Sequence, residues 1–567
     1  MKQKVKTLLQ NRDSIIVFLV LAAGVITACF PLRYESLQGN YFPDLGYHLI
    51  RIEGVKEAIL AGEFPARIYN FALNGWGYGG SMFYQDYLLY IPAFLCVLGM
   101  DIAMAYKAMI LLCTVATTVT TYCCARYISK SKYAASLITI MTVLSQYYLA
   151  DIYNRAGVSE YLAFIFVPVL IVGVYDALAE ECRHPHWIGI GLFGLLLTHS
   201  ITFALGVVLL LICLALNIKQ FLAKPEQFVR LIKVAVVTVL ATAFIHVPLL
   251  EQMFSGEFRF HHPWANVADM TQPVATWFRT SGYFDTIAYV GIGIPVLFCL
   301  CLRVSKRRAN NKWTDRFIIL GVVLIVITSK IFPWKLVGNT VLGFIQFPYR
   351  LYSFAIPILS IGTGMLYAEL FEKKKILGKC AYVFLGGMIA FCGLWQLEKT
   401  TCNDEELIIK TGFFEDAENT FYIGAEEWLP ANVKGKRLKE KERLVLMEDG
   451  RSVDYKDGYN EVSFQAVDGA ERYEIPLLYY KGYEAWISDD AGQLHELQVV
   501  TDDNHRGELY VLNPEQYSGE LAVKYKGTMT QKASLAVSLV TLLGWIVCGI
   551  ISKYCRTCSR MDKPGHS

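Results

Sequence analysis

The chain has 567 residues, 54% hydrophobic and only 18% charged, where a soluble domain carries about 25% charged residues, so an ordinary soluble enzyme is excluded. A net charge of +3 gives no reason to expect a nucleic-acid partner; what informs is where the basic residues lie. Most of the 15 cysteines sit inside apolar runs as small hydrophobes, and Cys402 alone falls in the large polar region near the C-terminus, so no internal disulfide is expected there.

In chain order, a basic N-terminus precedes the apolar run 14–30 with no small-residue cleavage site after it, which predicts an uncleaved signal anchor. Further runs near the ~20 residues that span a bilayer lie at 102–127, 133–150, 160–178, 234–250, 286–303, 317–332, 351–370, 381–397 and 535–554. Two stretches are ambiguous: 84–99 is short and broken by Pro92, and 187–218 is too long for one span and interrupted by Thr198-His199-Ser200. If the first dips without crossing and the second crosses twice with a turn at His199, the basic clusters at 2–12, 126–132, 219–233, 303–316, 373–379 and 553–563 all fall on the cytoplasmic side. The reading is therefore a mainly α, polytopic membrane protein with ~12 transmembrane helices and both termini cytoplasmic.

That topology assigns residues 1–397 to a transmembrane domain whose first outer loop is 32–101. Residues 398–532 form an extracytoplasmic domain, 533–554 the last helix and 555–567 a cytoplasmic tail. Alternating runs at 461–467, 471–480, 495–500, 507–512 and 519–525, separated by turn residues, predict an antiparallel, β-sandwich-like fold for 398–532. That domain lacks a cluster of His, Cys or paired acids, which favours recognition or structural support. Cys555 and Cys558 have zinc or redox spacing but no second pair, so no metal site is assigned to them.

Within the first outer loop, Asp44 opens an amphipathic helix with His48 and Arg51 at i+4 and i+7, hence on one face. Leu45, Leu49, Ile52, Val55 and Ile59 form the apolar stripe, and Gly62 is the stop. Asp44 reads equally well as an N-cap, a role that does not exclude catalysis. Farther on, the short loop 151–159 places Arg155 and Glu160 at the rim of the bundle. There an acid that opens a helix suits the positive end of the macrodipole, while an ionisable group at membrane depth is also a functional candidate. Arg350, following Gln346-Phe-Pro-Tyr, begins a span from the outer side; it fits either bidentate phosphate binding or snorkelling to lipid headgroups. His199 is a polar helix breaker or a group lining a cavity. His246, His261 and His262 are weaker, and no HExxH, Walker A or strand-borne GxGxxG sequence occurs. The loop Gly75-Trp-Gly-Tyr-Gly-Gly80 resembles a sugar- or lipid-contacting loop, with Trp76 and Tyr84 as stacking residues.

On these residues the chain resembles the GT-C superfamily of polyprenyl-phosphate-dependent membrane glycosyltransferases, in which one outer loop after the first span and a short one between spans three and four each carry an acid. Asp44 and Glu160 fall on those positions. More closely it is similar to the bacterial YfhO-like group, also labelled "6-pyruvoyl-tetrahydropterin synthase-related membrane protein". The resemblance rests on Asp44-x-x-x-His48, Gly62-x-x-Pro65-x-Arg67, Arg155-Ala-Gly-x-x-Glu160, Thr198-His199-Ser200, Gln346-Phe-Pro-Tyr-Arg350 and Gly424-Ala-Glu-Glu-Trp-Leu-Pro430. The zinc-binding histidines that pterin chemistry requires are missing, so the pterin label does not become an activity.

The resemblance implies transfer of a sugar from a polyprenyl-phosphate-linked donor to a cell-envelope glycopolymer or glycolipid acceptor, at the outer face of a bacterial cell membrane and among its lipids. Asp44 and Glu160 would be catalytic; His48, Arg51, Arg155, His199, Gln346, Arg350, Trp76 and Tyr84 would bind substrate. No cofactor is required outright. A divalent cation, Mg or Mn, enters only if Asp44 and Glu160 share one, and the single acid in Phe42-Pro43-Asp44, where the superfamily often has two, leaves that open. A transporter or flippase of lipid-linked saccharide and a non-catalytic envelope-binding scaffold are the alternatives. The first predicts an inverted repeat, and none is evident.

Overall fold

The computed structural model describes residues 2–33, 42–261, 266–278, 291–305, 311–338, 340–401, 413–489, 491–501 and 507–561. His262, Cys402 and the start of the apolar run 286–303 lie outside the described residues, as do the side chains of Cys555 and Cys558. The protein is mainly helical, with a sheet-forming region between the long helices Lys375–Thr401 and Met529–Met561.

Among the described residues five helical stretches are long and apolar enough to cross a membrane: Ile102–Ser129, Val158–Ala179, Pro348–Glu372, Ile376–Glu398 and Met529–Gly549. Two more candidates are bent pairs, Lys132–Val143 with Gln146–Tyr153 (41°) and Pro225–Ala241 with Ala243–Met253 (63°). Four shorter apolar helices, Tyr87–Val97, His186–Thr198, Ser200–Leu216 and Ile294–Ser305, are below spanning length by themselves. Unbroken long helices therefore account for only part of the expected ~12 crossings. The long run 187–218 is broken by extended backbone at a single residue, His199 (φ −152°, ψ 109°).

The centre of the bundle is the helix Tyr352–Tyr367, every residue of which is buried. Its glycines allow close approach: a Cβ on Gly362 would lie 2.7 Å from Ile318, and one on Gly364 would lie 2.3 Å from Ile138. Without a hydrophobic force between lipid-bathed helices, such small-residue contacts supply the packing that holds them. Arg350 lies in the 3₁₀ turn Pro348–Leu351 that feeds this helix, so its backbone is anchored at the core of the bundle.

The helix Phe42–Leu60 joins two cores. Leu45, Leu49, Ile52 and Val55 face the helical bundle, whereas Tyr47 and Ile50 belong to a second core shared with the sheet region. It starts two residues before Asp44, so Asp44 occupies the first turn and is not the N-cap expected from sequence. Gly62, with φ +74°, follows its end.

Among the described residues the sheet has nine antiparallel strands: β1 (Val445–Met447), β2 (Ser452–Val453), β3 (Tyr455–Gly458), β4 (Glu461–Gln465), β5 (Arg472–Leu478), β6 (Tyr483–Ser488), β7 (Leu494–Thr501), β8 (Glu508–Leu512) and β9 (Glu520–Tyr525). Their order is β2-β1-β5-β8-β7-β6-β9-β4-β3. Leu494 to Leu497 of β7 pair with β6, while Gln498 to Thr501 pair with β8, so the sheet turns from one half to the other along this strand. The halves face each other, with the Phe464 ring of β4 4.9 Å from Tyr473 of β5. A sandwich-like core results, formed by one continuous sheet.

That core continues into the first polar loop. Trp76, Tyr78, Met82 and Phe83 pack with the strands. Hydrogen bonds stitch the two together: Leu478 N–H to Trp76 O (3.0 Å), Asn460 N–H to Asn70 Oδ1 (2.8 Å) and Leu73 N–H to Thr420 O (2.9 Å). The segment that follows the helix Ala243–Met253 is bound in as well, since Phe258 pairs with Pro430 and Phe260 N–H donates to Glu427 O at 2.9 Å.

Candidate active site

The site begins with a tight turn. After the helix Gln146–Tyr153, Arg155 N–H donates to Ala150 O (3.0 Å) and Gly157 N–H to Asp151 O (2.7 Å), and Ala156 adopts φ +55°. The left-handed residue reverses the chain straight into the helix Val158–Ala163, with Glu160 in its first turn. Asp151, Arg155 and Glu160 are thereby confined to neighbouring turns.

Arg155 gathers the carboxylates. Its Nη1 lies 2.6 Å from Glu160 Oε2 and 3.7 Å from Asp151 Oδ1, and its Nε lies 3.3 Å from Asp44 Oδ2. Arg350 approaches the same Glu160 oxygen with Nε at 3.4 Å. Its Nη1 donates to Gln346 Oε1 at 2.7 Å and to Ile345 O at 3.2 Å. The hydroxyl of Tyr147 donates to the other Glu160 oxygen. Glu160 is 1% exposed and fully engaged by two guanidiniums and a phenol; Asp44, at 38%, is the open acid of the group. The rings of Phe347 and Tyr349 wall the guanidiniums, with Phe347 4.9 Å from Arg350 and 5.8 Å from Arg155.

A second network supports the first. Arg51 is wholly buried; its Nε donates to Asp86 Oδ1 (2.7 Å), its Nη2 to Gln85 O (2.5 Å) and its Nη1 to Ser159 Oγ (3.1 Å). Tyr69 donates to the other Asp86 oxygen at 2.6 Å. Arg51 Nη1 also lies 2.8 Å from His48 Nδ1. A guanidinium only donates, so His48 Nδ1 accepts and the ring proton sits on Nε2. His48 is thus a neutral donor on the helix face one turn beyond Asp44. Burial, followed by the neighbouring Arg51 and Arg155 charges, holds its pKa well below the usual imidazole value.

The break at His199 turns towards this network. His199 is buried, its Nδ1 lies 2.7 Å from Thr202 Oγ1, and its ring meets that of Tyr84 edge-on at 6.1 Å. Ser200 Oγ donates to Gln85 Oε1 at 2.8 Å. Tyr84 lies over Arg51, 4.5 Å from ring centre to guanidinium.

Trp76 is the exception among the sequence-selected residues. It is 1% exposed and locked in the core shared with the sheet, with Lys441 Nζ 5.2 Å from its ring, so it offers no face to a sugar. The alternation of glycine and aromatics in 75–80 serves close packing there: a Cβ on Gly79 would meet the Tyr480 ring at 2.7 Å.

Several groups at the site carry no sequence signal. Asp86 and Ser159 are isolated polar residues with no motif around them. Asp151, in the loop 151–159 expected from sequence, belongs to the last turn of a helix. Glu427 lies in a segment expected to be structural; burial raises its carboxyl pKa while Arg350 and Arg155 oppose the shift. Its neighbour Trp428 stacks on Phe83 at 5.2 Å and near Tyr84 at 6.4 Å, which brings this segment to the edge of the site.

Among the described residues no group of three or more His, Cys, Asp or Glu side chains is arranged to hold a metal ion. Asp44 and Glu160, the pair considered for a shared cation, have the Arg155 guanidinium between them. What the arrangement offers chemically is two positive, planar donors aimed at one place, with an open carboxylate beside them.

No family model matches the chain. It is 21% identical, over an alignment of 604 residues, to an "Uncharacterized protein" of Lactococcus lactis subsp. cremoris (strain MG1363), covering 96% of this chain and 97% of that protein. Among solved structures it matches the archaeal oligosaccharyltransferase AglB from Archaeoglobus fulgidus, in complex with an inhibitory peptide and a dolichol-phosphate. The TM-score is 0.38 at 11% identity, covering 73% of this chain and 61% of that one. The chain therefore spans less than two thirds of that structure's length.

Two outcomes test this geometry. Glu160→Gln removes the charge that holds Arg155 and Arg350 together; a loss of roughly 3–5 kcal/mol is expected, as for breaking a buried ion pair, read as a lowered Tm of the purified protein. His48 lies outside the candidate spans, and its folded-state pKa is depressed. Its stabilising effect is complete above the unfolded value near 6.5 and is lost as pH falls below it, because the unfolded state then takes up a proton that the folded state refuses. Stability should decline by up to about 1.4 kcal/mol per pH unit below pH ~6.5, and His48→Gln should remove that part of the slope in pH-dependent unfolding.

Proposed function

We propose that the protein transfers a sugar from a polyprenyl-phosphate-linked donor to a cell-envelope acceptor at the outer face of a bacterial cell membrane, as a ~12-span protein with both termini cytoplasmic. The observation that carries this reading is the convergence of Asp44, Arg155, Glu160 and Arg350, drawn from three separate segments, into one connected ionic network. A donor without a nucleotide reacts where its phosphate meets polar protein, at the membrane boundary, and the site lies where the helical core meets the core of the sheet.

In this reading the leaving group is the lipid phosphate. Its oxygens draw the guanidiniums of Arg155 and Arg350, whose planar forks suit them for phosphate. As Arg155 Nε turns to phosphate, Asp44 is released to act as general base. The acceptor hydroxyl forms a bond to the anomeric carbon, the carbon–phosphate oxygen bond breaks with its electron pair going to the phosphate, and the hydroxyl proton passes to Asp44. Glu160 keeps the two arginines in place and does not itself take the proton, since both its oxygens are engaged. Gln346 orients Arg350, and His48 and Tyr84 border the sugar. Trp76 has no part in binding.

Asp44→Asn removes the base while preserving shape, and general-base catalysis is worth roughly 10²–10⁴-fold. Cells carrying Asp44→Asn at normal protein level should therefore lose the sugar modification from their envelope glycopolymers, measured by compositional analysis. An unchanged sugar content would remove Asp44 from the mechanism.

A further inference from the structure

We infer that the guanidinium of Arg155 occupies the place a divalent cation would take among Asp44, Asp151 and Glu160, so that the site handles its phosphate-linked substrate without a divalent metal. This rests on reading the site as one for a phosphate-linked donor, but the occupancy itself follows from the side chains alone.

A divalent cation shared by acids from two loops needs several oxygens at about 2.0–2.6 Å, converging on one empty point. Here the acids converge, yet the point is filled. Arg155 reaches Glu160 Oε2 at 2.6 Å, Asp44 Oδ2 at 3.3 Å and Asp151 Oδ1 at 3.7 Å. Arg350 adds a second positive charge 3.4 Å from that Glu160 oxygen. A dication bound to the same oxygen would sit within a few ångström of two guanidiniums that stay protonated at every physiological pH.

The other side-chain ligand atoms beside Arg155 are paired, with one exception. Glu160 Oε1 accepts from Tyr147, His48 Nδ1 from Arg51, and His199 Nδ1 is paired with Thr202 Oγ1. Of the carboxylate oxygens, Asp151 Oδ2 is buried without a hydrogen-bond partner. Removal of Arg155 would add to it Asp151 Oδ1, Asp44 Oδ2 and Glu160 Oε2, the oxygens the guanidinium now faces. The sequence agrees at the first loop, where Pro43 stands before Asp44 and no second acid is within two residues.

Phosphate chemistry makes such an exchange workable. A cation at this point would neutralise the acids and bind the lipid phosphate, and a guanidinium does both, with directed hydrogen bonds in place of coordination. It also stays in the chain, so its presence does not depend on the metal available outside the cell.

The test uses the full-length protein in detergent and Mn²⁺ alone as the probe, with free Mn²⁺ followed by electron paramagnetic resonance. The wild type should show no stoichiometric site, and its Tm should be the same in Mn²⁺ and in EDTA. Arg155→Ala leaves Asp44 and Asp151 without their cation and Glu160 with Arg350 alone, and should bind one Mn²⁺ at least about tenfold more tightly than the wild type, an increment lost on adding Asp44→Asn. A stoichiometric wild-type site that Asp44→Asn abolishes would overturn the inference, and this arm decides even if Arg155→Ala is not recovered folded. A folded Arg155→Ala protein that binds no Mn²⁺ would overturn it too, because the guanidinium would then not stand where a cation fits. Neither arm reads sugar transfer, so this result and the envelope analysis of Asp44→Asn fail independently.

Discussion

Everything in the candidate site depends on how one guanidinium meets three carboxylates. Arg155 lies on a turn of a few residues, made possible by left-handed backbone at Ala156, and from there it touches acids before it, after it and more than a hundred residues away in sequence. Glu160 then carries the link onward to Arg350. Buried charges are costly unless paired, and breaking such a pair is worse than never forming it. Each member therefore holds the others in place in the folded state.

Those helices explain why the acids reach Arg155. The helix Phe42–Leu60 wedges between two cores, with Leu45, Leu49 and Ile52 against the bundle and Tyr47 and Ile50 against the sheet region. The buried pair Arg51–Asp86, with Ser159 as the link, ties that helix to the segment next to Glu160. On the other side, the fully buried helix Tyr352–Tyr367 fixes Arg350. The sheet region contributes through its contact with the first polar loop and through Glu427 and Trp428 at the edge of the site.

Much of this is legible in the sequence, for physical reasons that differ from residue to residue. The stripe Leu45, Leu49, Ile52, Val55 follows helical spacing, and charged residues such as Arg155, Glu160 and Arg350 stand out in apolar sequence because burying them is costly. The strands around Phe464, Tyr473 and Val523 were visible as alternation, whereas β1, β2 and β3 are too short to show a period, and β6 lies hidden between turn residues. Partnership was not legible. Nothing in the sequence says that Arg155 bridges Asp44 and Asp151, or that Arg51 pairs with Asp86, since those contacts depend on how distant helices pack. Trp76 is ambiguous in sequence for the same reason: an aromatic among glycines has the same local signature whether it awaits a sugar or closes a core, and the facing strands decide. The N-cap reading of Asp44 failed because the helix begins at Phe42, and helix ends are only weakly marked in sequence.

The central claim is that Arg155 and Arg350 form a receptor for a lipid-linked phosphate. Direct binding of a short-chain polyprenyl monophosphate to the purified protein, followed by native mass spectrometry, tests it most directly. One saturable site is expected, weakened at least about tenfold, or about 1.4 kcal/mol, by Arg350→Ala in a protein that remains folded. Equal affinity in the wild type and in that variant would contradict it.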